Sequence, residues 1–180
     1  MISHSKKRPA GAVPDIVISN RQRGRKIDLR LLKKITDATL AELEVESVEL
    51  GIVLVAAKEM ASLNEEFLGH EGATDVITFD YCEPGFALEG RDGALRRPRR
   101  VQRRNDAVIH GEIFVCVAEA ERQAKIFGTD WRSEVVRYVV HGILHLMGYD
   151  DLQPLARKKM KREEGRLVRE LSRRFALSKL

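Results

Sequence analysis

The sequence is poor in cysteine and in aromatic residues, and it contains no long apolar segment. Cys82 and Cys116 are the only two cysteines among 180 residues, and their spacing is not that of a metal site. We expect both to be reduced thiols, the first in a loop and the second in a strand. No apolar run approaches the roughly 20 residues that a membrane-spanning helix requires. These absences argue against a disulfide framework, a cysteine-based zinc site and a membrane protein.

The N-terminal segment, 1–14, contains proline and several basic residues but no apolar core of the kind found in secretory signals. We therefore expect a polar tail there and a cytoplasmic protein. The remaining segment, 15–180, is long enough to form one domain with a single core. Hydrophobic residues make up 43% and charged residues 33% of the chain, which is typical of globular proteins.

Hydrophobic periodicity predicts an α+β fold. Strands are expected where apolar and β-branched residues alternate or run together, at 15–19, 47–55, 74–79 and 111–117. Helices are expected where apolar residues recur with helical spacing, at about 29–43, 57–67, 118–127, 131–147 and 155–175. Asp28 and Asp130 suit the N-cap positions of the first and fourth helices. A long loop, at about 82–107, separates the third and fourth strands and is either functional or disordered.

Positive charge is concentrated more strongly than the net charge of +5 suggests. The loop at about 82–107 carries six arginines within nine residues: Arg96, Arg97, Arg99, Arg100, Arg103 and Arg104. This density favours binding to a phosphate backbone, whereas the few aromatic residues nearby do not indicate base stacking. A second basic run, 157–162, lies on the last predicted helix, where a solvated helix face is an equally good interpretation.

The most informative stretch is the histidine motif at 141–151, HGILHLMGYDD. His141 and His145 are four residues apart, so on a helix they share one face and can bind one metal ion. Gly148 suits the left-handed conformation that ends many helices, and the reversed chain can bring Asp151 towards both imidazoles. The pattern predicts a three-ligand metal site, whereas the pair alone would be explained equally well by ordinary helix histidines.

The same histidine spacing occurs in metzincin peptidases, with one important difference. Zincin peptidases carry a glutamate directly after the first histidine as general base, and this chain has Gly142. Glycine cannot accept a proton, so the sequence argues against a metallopeptidase. His110 and Glu112, on either side of Gly111, are weak candidates for the base. An edge histidine and a structural carboxylate are interpretations at least as good.

The histidine motif resembles the signature of the YbeY family of metal-dependent endoribonucleases, which act in ribosomal RNA maturation. Three other segments are similar to segments of that family in the same order: LNEEF at 63–67, TDVITF at 74–79 and Gly-Glu-Ile at 111–113. Together with the last helix, the resemblance covers about 48–175. Within it, Asn64 and Asp75 are expected either to orient metal ligands or, slightly preferred, to stabilise turns.

The resemblance implies a fold, a cofactor and a partner. The fold is a zincin-like α+β domain with a mixed sheet of four to five strands and about five helices. The cofactor is one zinc ion, and the partner is ribosomal RNA or a ribosomal subunit. The implied function is single-strand-specific RNA cleavage in 16S rRNA 3′-end processing and ribosome quality control. A non-catalytic ribosome-assembly factor with a structural metal is the alternative, and a metallopeptidase is less favoured.

Two positions depart from the family pattern. The family has histidine as third metal ligand, where this chain has Asp151. A carboxylate also binds zinc, at about 2.0–2.2 Å, but its negative charge makes the ion a weaker Lewis acid. The family also has an arginine where this chain has Leu68, and leucine cannot clamp a phosphate. We hypothesise that an arginine of the 96–104 segment replaces it.

This hypothesis predicts the behaviour of a variant in which Arg96, Arg97, Arg99 and Arg100 are all replaced by glutamine. Loss of four cations is expected to weaken both binding and cleavage of ribosomal RNA, because fewer phosphates are neutralised. Gel-shift titration and a cleavage time course measure the two effects. Binding and cleavage equal to those of the parent would show that the segment is not the phosphate clamp.

Overall fold

The computed structural model describes residues 14–82 and 108–180. Within these ranges the chain forms four strands and five α-helices: β1 (Asp15–Asn20), α1 (Leu29–Glu42), β2 (Ser47–Val55), α2 (Ala57–Leu68), β3 (Val76–Asp80), β4 (Val108–Cys116), α3 (Val117–Phe127), α4 (Trp131–Leu146) and α5 (Pro154–Arg174), followed by a short 3₁₀ helix at Leu177–Lys179. The expected α+β fold is confirmed. The six loop arginines, and all of the predicted tail except Pro14, lie outside the described residues.

The four strands form one mixed sheet with the order β1-β2-β4-β3. The two central strands, β2 and β4, are parallel and pair over nine residues each, from Ser47 opposite Val108 to Val55 opposite Cys116. β4 therefore begins three residues before the strand that hydrophobicity predicts, because pairing with β2 extends it through His110. β3 is antiparallel to β4 and forms one edge of the sheet.

Alternation along β4 divides the interior into two clusters, one on each face of the sheet. Ile109 and Ile113 belong to the larger cluster, which α1, α4 and α5 complete on one face. Phe114 and Cys116 belong to the smaller cluster on the opposite face, where α2 contributes Met60. The orientation of any β4 side chain is thus set by its position in this alternation. α4 lies against β3 and β4 on the face of the larger cluster.

Side-chain caps fix the beginnings of two helices, as the sequence predicts. Asp28 Oδ1 accepts hydrogen bonds from the backbone N–H groups of Arg30 and Leu31, at 2.9 and 3.0 Å. Asp130 accepts one from the N–H of Arg132, at 2.8 Å, at the start of α4. These bonds satisfy backbone donors that have no partner inside the helix. In the described part of the chain, no helix has the length and apolar character needed to cross a membrane.

The contact between α4 and β4 is unusually close at Gly142. A Cβ atom added to Gly142 would lie 2.7 Å from Ile113 Cγ2 and 2.9 Å from its Cδ1, and Ile113 is fully buried. Glycine at this position therefore lets the helix lie directly on the strand. The position that holds the glutamate of zincin peptidases is here part of the helix–sheet contact, with no space for a side chain.

This contact predicts opposite effects for two glycine-to-alanine substitutions. Gly142→Ala is expected to lower the free energy of unfolding by about 1–3 kcal/mol, because overpacking at Ile113 outweighs the gain in helix propensity. Gly165→Ala, in α5, meets only the flexible end of Arg169 and should raise it by about 0.5–1 kcal/mol. Denaturant unfolding measures both. A stabilised Gly142→Ala variant would contradict the close contact.

Candidate metal centre

The imidazoles of His141 and His145 converge at the C-terminal end of α4. Their Nε2 atoms are 3.0 Å apart, and the ring planes cross at 83°. Two nitrogens bound to one tetrahedral zinc ion at 2.0–2.1 Å would be separated by about 3.3 Å. The two histidines are therefore close to the arrangement in which both bind the same ion.

The partner of each Nδ1 atom determines which nitrogen carries the proton. His145 Nδ1 lies 3.2 Å from the carbonyl oxygen of Tyr149, which can only accept, so this nitrogen donates. His141 Nδ1 lies 3.0 Å from Glu164 Oε2. Burial raises the pKa of Glu164, but hydrogen bonds from His141 and Arg137 outweigh it and keep that pKa below its usual value. Glu164 is thus an ionised acceptor.

With both Nδ1 atoms donating, two neutral rings would each direct an Nε2 lone pair at the same point, as two imidazole ligands of one metal ion do. Burial and the neighbouring His141 lower the pKa of His145, although Asp151 acts in the opposite direction. His145 is therefore held in the neutral form that binds metals. The donor set fits a metal ion.

The turn at Gly148 brings the third candidate ligand to the site. Gly148 has φ +83°, and its N–H donates to the carbonyl of His145 at 2.8 Å, while Tyr149 N–H donates to that of Leu144 at 3.0 Å. This pair of bonds is a Schellman motif, which reverses the chain. As a result, ligand atoms of His141, His145 and Asp151 all lie within 4.8 Å of one another. Among the described residues, they form a group that could hold a metal ion.

A network of charged side chains contacts His141 at Nδ1, the ring nitrogen that does not face His145. Glu164 of α5 accepts from Arg137 Nη1 at 2.8 Å as well as from His141, and Arg137 Nε donates to Glu134 at 3.2 Å. Glu134 is buried and also accepts from the Thr129 hydroxyl, at 2.9 Å. The sequence interpretation did not assign roles to these residues. The sequence does contain a signal for the residues of α4. Positions 134, 137, 141 and 145 have helical spacing, which places polar residues on one side of a mostly apolar helix.

The two candidate bases are not brought to the imidazoles. Ile109 and Ile113 face α4, so the intervening His110 and Glu112 face the opposite side of the sheet. There, Glu112 accepts a hydrogen bond from the Tyr81 hydroxyl at 2.7 Å, and His110 Nε2 lies 3.5 Å from Glu49. Burial and Glu112 together raise the pKa of Tyr81 to about 12, so Tyr81 remains a donor. These contacts favour structural roles for both residues.

The other polar residues singled out in the sequence stabilise turns. Asn64 is buried, and its amide donates to the carbonyl of Gly72 at 2.8 Å. Asp75 Oδ1 accepts from the N–H of Val76 at 2.9 Å and from the hydroxyl of Thr74 at 3.0 Å. Both sets of contacts agree with the slightly preferred structural interpretation. Leu68, at the end of α2, is 47% exposed.

Comparison with known proteins identifies the family. A family model described as endoribonuclease YbeY matches residues 17–172. The chain belongs to the YbeY family. It is 33% identical to the endoribonuclease YbeY of Elusimicrobium minutum, over 77% of this chain and 85% of that protein. It is 31% identical to the endoribonuclease YbeY of Chlorobium phaeovibrioides, over 77% of this chain and 78% of that protein.

A solved structure agrees with this assignment. The solution structure of TM1509 from Thermotoga maritima matches with a TM-score of 0.55 and 28% identity, covering 87% of this chain and 88% of that one. The expected zincin-like α+β architecture of a YbeY protein is thereby confirmed. In this YbeY family member, the histidine helix ends in an Asp-containing turn.

The support from Glu164 leads to a test with a neighbouring control. Glu164→Gln is expected to weaken zinc binding roughly 10- to 100-fold, because the charged acceptor that orients His141 is lost. Glu163→Gln removes the same charge one residue away, where Glu163 pairs with Arg166 instead. Competition with a chromogenic chelator measures both affinities. Equal affinities for the two variants would show that Glu164 does not support the ligand.

Proposed function

We propose that this protein is a metal-dependent endoribonuclease of ribosomal RNA maturation, with one zinc ion bound by His141, His145 and Asp151. The observation that carries the proposal is the convergence of these three ligands at the end of α4 in a YbeY family chain. Two imidazole nitrogens and one carboxylate oxygen are a ligand set typical of catalytic zinc. Three protein ligands leave one position for substrate or water. The proposed substrate is single-stranded RNA at the 3′ end of 16S rRNA, with a further role in ribosome quality control.

The residues of the chain have different roles at this site. A bound zinc ion would supply Lewis-acid polarisation of the scissile phosphodiester. Glu164 and the Tyr149 carbonyl lie at Nδ1 of His141 and His145, which leaves both Nε2 atoms to bind the ion. Asp151 contributes negative charge, which favours retention of the ion and lowers its Lewis acidity. His110 and Glu112 have no part in proton removal in this proposal, because both face away from α4.

A second function deserves testing because of two residues. Asp151 lowers the Lewis acidity of the ion, and Leu68 offers no donors to a phosphate. Both favour a ribosome-assembly factor in which the metal is structural. A metallopeptidase is disfavoured by Gly142, whose position is filled by the contact with Ile113. Cleavage of RNA, and not of casein, distinguishes the endoribonuclease from both alternatives.

The proposal predicts the metal content and activity of three variants. The parent should contain about one zinc ion per chain, and His141→Ala, His145→Ala and Asp151→Ala should each lose it, because two ligands bind zinc weakly. Elemental analysis measures the metal, and cleavage of a single-stranded 16S 3′ precursor measures activity. His70→Ala, an exposed histidine after α2, is the control and should keep both.

The outcomes separate the two functions. Cleavage that is lost with the metal, and that chelator also removes from the parent, supports the endoribonuclease. A parent that retains zinc and binds rRNA, yet cleaves no RNA, indicates the assembly factor. A parent without stoichiometric zinc would contradict the three-ligand site.

A further inference from the structure

The start of α5 carries a cluster of positive charges without ion pairs to the described carboxylates. Lys159 lies over the ring of Tyr149. The other four exposed cations in this cluster are named the α5 basic face: Arg157, Lys158, Lys161 and Arg162. None of them forms an ion pair within residues 14–82 and 108–180. The second half of the same helix differs, because Arg166, Arg173 and Arg174 each contact a glutamate, at 2.7, 3.4 and 2.9 Å.

The α5 basic face adjoins the metal centre. Arg157 Nε donates to the backbone carbonyl of Asp151 at 2.7 Å, which fixes the guanidinium beside the third candidate ligand. Arg157 is exposed, and its two terminal nitrogens form no ion pair in the described part of the chain. One turn further, Met160 is fully buried in the larger cluster, which fixes the rotation of α5 and turns its charged side outward.

The arrangement of the charges suits an extended polyanion. Arg157 and Lys161 are four residues apart, as are Lys158 and Arg162, so they form two parallel rows with a spacing of about 6 Å along the helix. Rows of flexible cations contact successive phosphates without regard to sequence. The planar guanidinium groups of Arg157 and Arg162 can each donate two hydrogen bonds to one phosphate, and Arg157 is the one held beside Asp151.

We propose that the α5 basic face binds the phosphate backbone of single-stranded RNA, with Arg157 contacting the phosphate nearest to Asp151. This inference rests on the proposed function, because the ligand is the RNA substrate of the same site. The proposed phosphate contact lies on a helix that is packed into the domain core, next to the turn that carries Asp151. Arg157 is thus a candidate for the clamp that Leu68 cannot provide.

The first test compares two double variants with the same loss of charge. Lys161→Gln/Arg162→Gln removes two charges from the α5 basic face and leaves Arg157, which contacts the turn with Asp151, unchanged. Arg169→Gln/Arg173→Gln removes two charges from the second half of α5. The probe is a fluorescent 2′-O-methyl single-stranded RNA, which resists cleavage, titrated with holoprotein at several salt concentrations. The first variant should bind roughly tenfold more weakly at low salt. The slope of the logarithm of the association constant against log salt should become less negative by about 1.4. The control should retain the parental slope.

The second test addresses Arg157 itself. Arg157→Gln should raise the KM for RNA cleavage at least severalfold while one zinc ion per chain is retained. Arg157→Lys, which keeps the charge, should raise the KM less. Loss of zinc from Arg157→Gln would overturn the phosphate contact, because Arg157 would then act only through the Asp151 backbone. Elemental analysis therefore accompanies the kinetics.

The failure of this inference can be distinguished from failure of the proposed function. If the parent binds and cleaves RNA and both double variants bind as the parent does, the α5 basic face is not the RNA contact, and the endoribonuclease stands. If the parent neither binds nor cleaves RNA, both proposals fail. Binding to polyglutamate but not to RNA would likewise overturn the inference, in favour of an acidic protein partner.

Discussion

The two hydrogen bonds at the Nδ1 atoms of His141 and His145 are the interactions on which the candidate site depends. Each bond fixes the orientation of a ring, and together they direct the two Nε2 atoms at one point. Their acceptors come from different parts of the chain. One is a backbone carbonyl that the Gly148 turn returns to the helix, and the other is the Glu164 carboxylate of α5. The site therefore requires both the correct end of α4 and the correct docking of α5.

Docking of α5 is decided by apolar packing in the core. Met160, Leu167 and Leu171 are fully buried against the helices and strands of the larger cluster. Their burial fixes which residues of α5 face α4, and Glu164 is among them. Arg137 of α4 then joins the two helices, because it donates to Glu164 of α5 as well as to Glu134 of its own helix. Core packing and the polar network thus determine the geometry of the same histidine.

Local pattern was enough to predict most of the secondary structure and the candidate ligands. The spacing of His141 and His145, the glycine that ends the helix and the carboxylate three residues later are all short-range features. The N-caps at Asp28 and Asp130 are equally local, and the structure confirms them. Hydrophobicity also located all four strands, but it placed the start of β4 too late, because the first residues of that strand are paired through β2 rather than marked by apolar side chains.

Long-range features were not accessible in the same way. Glu164 follows His141 by 23 residues, and only the packing of α5 brings the two together. His110 and Glu112 appeared as candidate bases because of their order in the chain. Which face they occupy is set by alternation relative to Ile109 and Ile113, and no motif records which of these faces receives α4. The six loop arginines lie outside the described residues, so their role stays a prediction.

The contact between Gly142 and Ile113 has a consequence for how this site could change over evolutionary time. A glutamate at 142 would need a coupled substitution at 113 and a shift of the helix away from the strand, and such a shift would also move both histidines. A single mutation therefore cannot give this chain a peptidase base while keeping its candidate metal ligands in place. This restriction on the chemistry comes from the short distance between the helix and the sheet at Ile113.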